Sequence, residues 1–133
     1  MSLRFLLDTH ILVRWFSDSK RLSREQRRIL EDTVRHGECV GVCGISLLEI
    51  AVLAPGLKRI GFGLNELFHE LDTNPWFRII PLTTDVAREV AAIGDSLRDP
   101  ADRAIVATAR VHRLTLLTAD QRIIESDLVA VIE

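Results

Sequence analysis

The chain has 133 residues, of which 47% are hydrophobic and 27% charged, so it can form one buried core and is too apolar for a disordered chain. Its formal net charge of −2 argues against a protein that coats nucleic acid through an overall positive charge. No basic, apolar leader and no apolar run near the roughly 18 residues of a membrane span are found, so we expect a single cytoplasmic domain over residues 1–133 without membrane contact.

Strand-like and helix-like segments alternate from the first residues onward, which is typical of an α/β protein. In the first part of the chain we predict a strand, two helices and a second strand, at residues 4–7, 11–16, 22–36 and 38–43. Ser23 and Gln26 have the spacing of a capping box at the start of the second helix, and Gly37 is expected to end it. Cys39 and Cys43 fall on one face of the second strand and are predicted to be buried, reduced thiols.

The rest of the chain continues this alternation. The predicted elements are two helices, a strand, two helices, a strand, a short helix and a strand, at residues 46–53, 64–71, 77–80, 85–97, 100–112, 114–117, 121–125 and 129–132. Pro55 and Gly56 are expected to end the helix over 46–53, and Pro100 to begin the helix over 100–112. About five strands connected by helices indicate a parallel sheet with helices on its faces.

Four acidic residues stand just past apolar, strand-like runs, at or near the start of the next helical segment: Asp8, Glu49, Asp102 and Asp120. In a doubly wound sheet such positions open onto one rim, so these carboxylates are predicted to converge. Because like charges repel, a cluster of this kind needs a bound cation. Mg²⁺ and Mn²⁺ take oxygen ligands, so they are the ions that such a site favours.

Each acidic position also has a local explanation. Asp8 and Asp120 have the position of helix N-caps, Asp99 precedes a proline at a helix start, and Ser46 with Glu49 has the spacing of a capping box. These alternatives stay open for each residue taken singly. Local explanations are harder to accept for all these acidic residues together.

Asp102 is the most informative member of the set. On a helix it shares a face with Ile105, Val106 and Ala109, the side expected to pack on the sheet. Asp8 directly follows the apolar first strand. Burying an unpaired carboxylate costs several kcal/mol, so both positions favour a site over chance placement.

Four stretches together carry a resemblance to a known family: LLDTHILVRW at 6–15, SLLEIA at 46–51, DPADRAIVATA at 99–109 and LLTAD at 116–120. They resemble the successive motifs of PIN-domain ribonucleases, and in particular the VapC toxins of bacterial toxin–antitoxin modules. The resemblance spans nearly the whole chain, with the motifs in order and at fitting separations. It implies a three-layer α/β/α fold with a central parallel sheet of about five strands.

The resemblance also implies roles for individual residues. The catalytic metal ligands, for Mg²⁺ or Mn²⁺, are implied to be Asp8, Glu49, Asp102 and Asp120. Supporting positions around them are implied at Thr9, Ser46, Asp99 and Thr118, for which ordinary caps and turn residues are the equal alternative. Many relatives carry an aromatic residue just before the second motif's glutamate, where this chain has Leu48.

The activity implied is metal-dependent endoribonuclease hydrolysis of RNA (tRNA, rRNA or mRNA), leaving 5′-phosphate and 3′-hydroxyl ends. A cognate antitoxin and a homodimer are implied as partners. The alternative is a non-catalytic RNA- or protein-binding module of the same fold, which is expected to lack one or more of the acids. Arginines are expected to draw the RNA backbone, with Arg14, Arg24, Arg27 and Arg28 as unassigned candidates.

Apolar side chains on two short helices are candidates for contact with these partners. They are Trp15 and Phe16 on the first helix and Phe62, Leu64, Leu67, Phe68 and Leu71 around the fourth. Ordinary core packing is the alternative, because a small domain needs its aromatic residues inside.

Overall fold

Five short strands form one parallel sheet at the centre of the fold. The computed structural model describes residues 3–59 and 63–133. In it the strands are β1 (Leu3–Leu7), β2 (Cys39–Cys43), β3 (Phe77–Ile80), β4 (Thr115–Leu117) and β5 (Val131–Ile132). Their order across the sheet is β3-β2-β1-β4-β5, so β1 is central.

Seven α-helices connect the strands within the described residues. They are α1 (Thr9–Ser17), α2 (Arg24–Arg35), α3 (Gly44–Arg59), α4 (Leu64–Thr73), α5 (Thr84–Ile93), α6 (Pro100–His112) and α7 (Gln121–Ser126). Short 3₁₀ turns follow α1 and α5. No helix among the described residues is long and apolar enough to cross a membrane.

Two apolar cores lie on opposite faces of the sheet. Successive side chains of a strand point to opposite faces, and accordingly Leu6 and Leu116 join one core while Leu7 and Leu117 join the other. Helices α5 to α7 supply the first core, and α1 to α4 most of the second. The predicted three-layer arrangement with five parallel strands is therefore confirmed.

The strand order places the ends of β1 and β4 side by side. Leu7 is opposite Leu117 in the parallel ladder, so Asp8 and Thr118 follow at the same rim. The chain proceeds from β1 through β2 to β3 on one side and then returns to β4 on the other. The gap between β1 and β4 is therefore a topological switch point, where ligands bind in open α/β sheets.

Two predicted helix ends are wrong. Pro55 lies inside α3, which continues to Arg59, so the proline removes one backbone hydrogen bond without ending the helix. The helix predicted over 85–97 ends at Ile93, because Gly94 has a φ of 60° and leaves the helical conformation. Cys39 and Cys43 are free and buried, as predicted.

Candidate active site

Asp8 lies at the end of the central strand and is only 5% exposed. It occupies the N-cap position of α1, but its side chain makes no cap hydrogen bond. Its Oδ2 accepts a hydrogen bond of 2.7 Å from the Thr118 hydroxyl instead. Burial raises the pKa of Asp8, while the Thr118 hydrogen bond and the nearby His10 oppose the rise. The capping interpretation of Asp8 is therefore wrong.

Asp120 is connected to Asp8 through the same threonine. The Asp120 backbone N–H donates to Thr118 Oγ1 at 3.1 Å, and Asp120 caps α7 by accepting from the Arg122 N–H at 2.9 Å. Its carboxylate also pairs with the Arg122 guanidinium at 3.3 Å. Partial burial acts to raise the pKa of Asp120, but the hydrogen bonds and charge of Arg122 outweigh it and lower the pKa.

Asp102 lies in the first turn of α6, where Asp99 is the N-cap. Asp99 Oδ1 accepts from the Ala101 N–H at 2.8 Å and from the Asp102 N–H at 3.4 Å. Burial raises the pKa of Asp102 to about 7, and the charges of Asp99, Asp120 and Asp8 add to the rise. The ends of β1, β4 and α6 thus bring Asp8, Asp102 and Asp120 into one electrostatic cluster, which we call the acidic cluster.

Glu49 on α3 is connected to this cluster through Thr9, the residue after Asp8. Thr9 Oγ1 donates to Glu49 Oε1 at 2.5 Å and lies 2.8 Å from Ser46 Oγ. A threonine hydroxyl has one proton, so the Ser46 hydroxyl must donate to Thr9. Helix α3 begins at Gly44, two residues before Ser46, so the capping-box interpretation of Ser46 and Glu49 is wrong. The Thr9 hydroxyl holds the Glu49 carboxylate instead, and the Ser46 hydroxyl donates to Thr9.

The carboxylates of the four predicted metal ligands do not converge on one point. Across residues 3–59 and 63–133, no three His, Cys, Asp or Glu side chains are placed to hold one metal ion. Three of the four carboxylates have their own hydrogen-bond donors, Thr118 for Asp8, Thr9 for Glu49 and Arg122 for Asp120. These separate donors, together with mutual repulsion, account for the spread. The ligand set stays a prediction.

The chemistry of the residues nevertheless fits a divalent cation. Within the described part of the chain, no lysine or arginine forms an ion pair with Asp8, Glu49 or Asp102. Buried or crowded carboxylates without a cation are costly, and the raised pKa values of Asp8 and Asp102 reflect that cost. Carboxylate oxygens are the donors that Mg²⁺ and Mn²⁺ prefer.

A cavity of about 240 Å³ opens beside the acidic cluster. Asp99, Asp102 and Arg122 line it, together with the segment from Asp95 to Arg98. Arg103, the residue after Asp102, does not reach this cluster; it donates to the Leu97 carbonyl and pairs with Asp95 at 3.7 Å. Carboxylates that would hold a cation, with a guanidinium beside them, suit a phosphate ligand.

Two supporting residues were missed by sequence reasoning. Arg122 was not singled out, although its position two residues after Asp120 could have indicated the ion pair. Gln26 was identified only as part of the capping box, which the structure confirms. Its Nε2 also donates to the carbonyls of Thr118 at 3.2 Å and Ile132 at 3.1 Å, contacts over 92 and 106 residues that no local signal predicts.

Comparison with known proteins gives one consistent answer. A family model described as PIN domain matches residues 5–127. The chain is 34% identical over 119 residues to Ribonuclease VapC22 of Mycobacterium tuberculosis (strain ATCC 25618 / H37Rv), covering 89% of this chain and 88% of that protein.

Solved structures share the fold along nearly their whole length. A toxin–antitoxin complex from Klebsiella pneumoniae contains a chain that is 26% identical with a TM-score of 0.67, covering 96% of this chain and 95% of that one. FitAcB from Neisseria gonorrhoeae is 28% identical with a TM-score of 0.66, covering 97% and 96%.

Proposed function

This chain belongs to the PIN domain family, and we propose that it is a divalent-metal-dependent endoribonuclease that serves as the toxin of a toxin–antitoxin pair. The similarity to a VapC ribonuclease supports the reaction. The similarity to a chain of a toxin–antitoxin complex supports the antitoxin partner. All four acids implied by the sequence motifs are present, which argues against a degenerate binding module.

The acidic cluster carries the proposal. Asp8, Asp102 and Asp120 come from three separate elements, and the charges of Asp8 and Asp120 add to the rise that burial causes in the pKa of Asp102, to about 7. Evolution of a stable core alone gives no reason to gather like charges at the switch point of the sheet. A divalent cation, which these carboxylates would hold and which would stabilise the charge of a phosphate, gives that reason.

Each residue of the site then has a defined task. Asp8, Glu49, Asp102 and Asp120 would hold Mg²⁺ or Mn²⁺, and the ion supplies Lewis-acid stabilisation of phosphate charge and a lowered pKa for water. Thr118 donates to Asp8 and so favours its ionised form. Thr9, backed by Ser46, fixes the orientation of Glu49.

The test is cleavage of a labelled tRNA and rRNA pool by the purified chain with Mn²⁺ or Mg²⁺, with chelator, and with the Asp8→Asn variant. We expect metal-dependent cuts with 5′-phosphate ends, and a loss of at least 100-fold in the variant because a buried ligand is removed. Asp127→Asn is the matched control, because Asp127 is exposed and its left-handed backbone accepts asparagine. A folded protein that binds metal but cuts no RNA contradicts the nuclease and favours the binding module.

Part of the surface considered for homodimer and antitoxin contacts lies in the core. Leu67 and Leu71 are buried there, so core packing is the correct interpretation of these two residues. Trp15 packs edge-on against Phe77 with ring centroids 5.5 Å apart, and Phe62 lies outside the described residues. Among the described residues, the two most exposed large apolar side chains lie on α3, where Leu48 is 61% and Val52 is 72% exposed; these two form the surface to examine for partner contacts.

A further inference from the structure

A groove of about 280 Å³ lies between α1 and α3. Its α1 side is formed by His10, Arg14 and Ser17, with Arg21 in the following turn, and its α3 side includes Leu53 and Leu57. The first three positions are spaced by four and three residues, so they share one face of α1. One wall is therefore basic and the other apolar.

One residue that lines the groove, His10, lies close to the acidic cluster. His10 is two residues beyond Asp8 and its charge acts on the Asp8 carboxylate. An α-helix rises 1.5 Å per residue, so the stretch from His10 to Ser17 extends roughly 10 Å away from that end. A strand that leaves the acidic cluster along α1 passes Arg14 and then Arg21.

The positive charge of this groove is not neutralised within the protein. In the described parts of the chain, neither Arg14 nor Arg21 forms an ion pair, whereas Arg28, Arg35 and Arg88 are each paired within their own helices. Two unpaired arginines in one concave surface are a notable concentration in a chain of net charge −2. Charge of this kind attracts an anion.

We propose that this groove binds the phosphodiester backbone of the RNA strand next to the bond that is cleaved. The inference rests on the proposed ribonuclease function and assigns the surface along which the RNA substrate binds. Arginine binds phosphate bidentately, and the apolar wall suits the faces of bases or riboses. The Ser17 hydroxyl donates to the Val13 carbonyl at 2.7 Å, so its proton is used and the arginines with His10 carry the contact.

The test measures RNA binding rather than cleavage. Fluorescence anisotropy of a labelled single-stranded RNA is followed over a salt series in the cleavage-deficient Asp8→Asn protein, with and without Arg14→Gln and Arg21→Gln together. We expect the double variant to raise Kd by at least 10-fold and to reduce the salt slope by about 1.4, since each phosphate contact contributes about 0.7 for single strands.

Two controls separate charge at this groove from charge in general. Arg88→Gln removes an exposed arginine on α5 and is expected to leave both Kd and slope unchanged. Arg14→Lys with Arg21→Lys is expected to keep most of the slope while weakening the bidentate contact. In the cleavage-competent protein, the two glutamine substitutions are expected to raise KM with little change in kcat.

The outcomes distinguish this inference from the function on which it rests. If the wild type shows metal-dependent cleavage but the double variant keeps the same Kd and salt slope, the groove is not the RNA-binding site. The nuclease function then still stands. A wild type that neither binds nor cuts RNA overturns both. Loss of antitoxin binding with intact RNA binding makes the groove a protein contact and overturns the RNA assignment.

Discussion

Asp102 shows how strongly the fold acts on a single side chain. Its neighbours Ile105 and Val106 on α6 are fully buried, so the helix face predicted to pack on the sheet does so. Asp102 lies at the open end of that face, where burial and three other carboxylates raise its pKa to about 7. In metal-free protein, the surroundings of Asp102 therefore favour the protonated form of its carboxyl group.

This pKa predicts the direction of the pH dependence. The folded pKa of Asp102 lies above the unfolded value of 3.8, so its contribution to the free energy of unfolding is lost as pH rises from about 4 to about 7. Asp8 acts in the same direction, whereas Asp120, whose pKa is lowered, loses its contribution as pH falls below about 4.

The variant Asp102→Asn removes the titrating group. In metal-free buffer near pH 8 we expect it to be more stable than wild type by roughly 1 kcal/mol, a value reduced for solvent screening of a half-buried group. Near pH 5 the two proteins should be closer in stability. Urea unfolding at both pH values measures this difference in stability. An identical pH dependence in the two proteins would contradict the prediction.

At the scale of the element, α2 is tied to the rim of the sheet by one side chain. Gln26 is only 1% exposed and completes the capping box with Ser23. Its amide group donates to Thr118, whose hydroxyl holds Asp8, and to Ile132 in the last strand. The start of α2 thereby fixes the ends of β4 and β5.

Replacing the Gln26 amide tests how much these hydrogen bonds contribute to stability. Gln26→Leu removes both donors and half of the capping box. The buried Thr118 carbonyl loses its Gln26 donor, whereas the Ile132 carbonyl still accepts from the Thr118 N–H, so we expect a loss of roughly 2–3 kcal/mol in the free energy of unfolding. Gln121→Leu is the control, because Gln121 is an exposed glutamine at the start of α7. Equal losses in the two variants, measured by thermal or urea unfolding, would show that Gln26 has no special role.

Helix boundaries divide into those that local chemistry determines and those that it does not. The caps at Ser23, Asp99 and Asp120 were predicted and are present, because a side chain and the next backbone N–H groups suffice to form them. Pro55 was expected to end α3 and does not, because a proline costs one hydrogen bond and a kink that packing elsewhere in the helix can offset.

At the scale of the whole molecule, the net charge of −2 includes two adjoining surfaces of opposite charge. The acidic cluster and the basic groove along α1 meet at His10. A polyanion cannot approach the carboxylates without a cation, and the groove offers it positive charge beside them. Metal and RNA are therefore expected to bind at adjoining sites of the same end of the sheet.

Metal binding should be visible as stability of the whole fold. An ion present at about 100 times its Kd adds about 2.7 kcal/mol to the free energy of unfolding, which raises Tm by roughly 10 °C for a chain of this length. We expect this rise with Mn²⁺, its reversal by chelator, and its absence in Asp102→Asn. Asp127→Asn should retain the full rise, and a Tm unaffected by Mn²⁺ in wild type argues against the metal site.

The sequence by itself determined the strands and a parallel sheet with helices on its faces, because these follow from the alternation of apolar segments and their short-range spacing. It also marked Asp8, Glu49, Asp102 and Asp120 as a set. Only the tertiary structure decided what holds these carboxylates. The hydrogen bonds from Thr118 to Asp8, from Thr9 to Glu49 and from Gln26 to Thr118 join residues 40 to 110 positions apart. Contacts of that separation arise from strand order and helix packing, which leave no trace in local patterns.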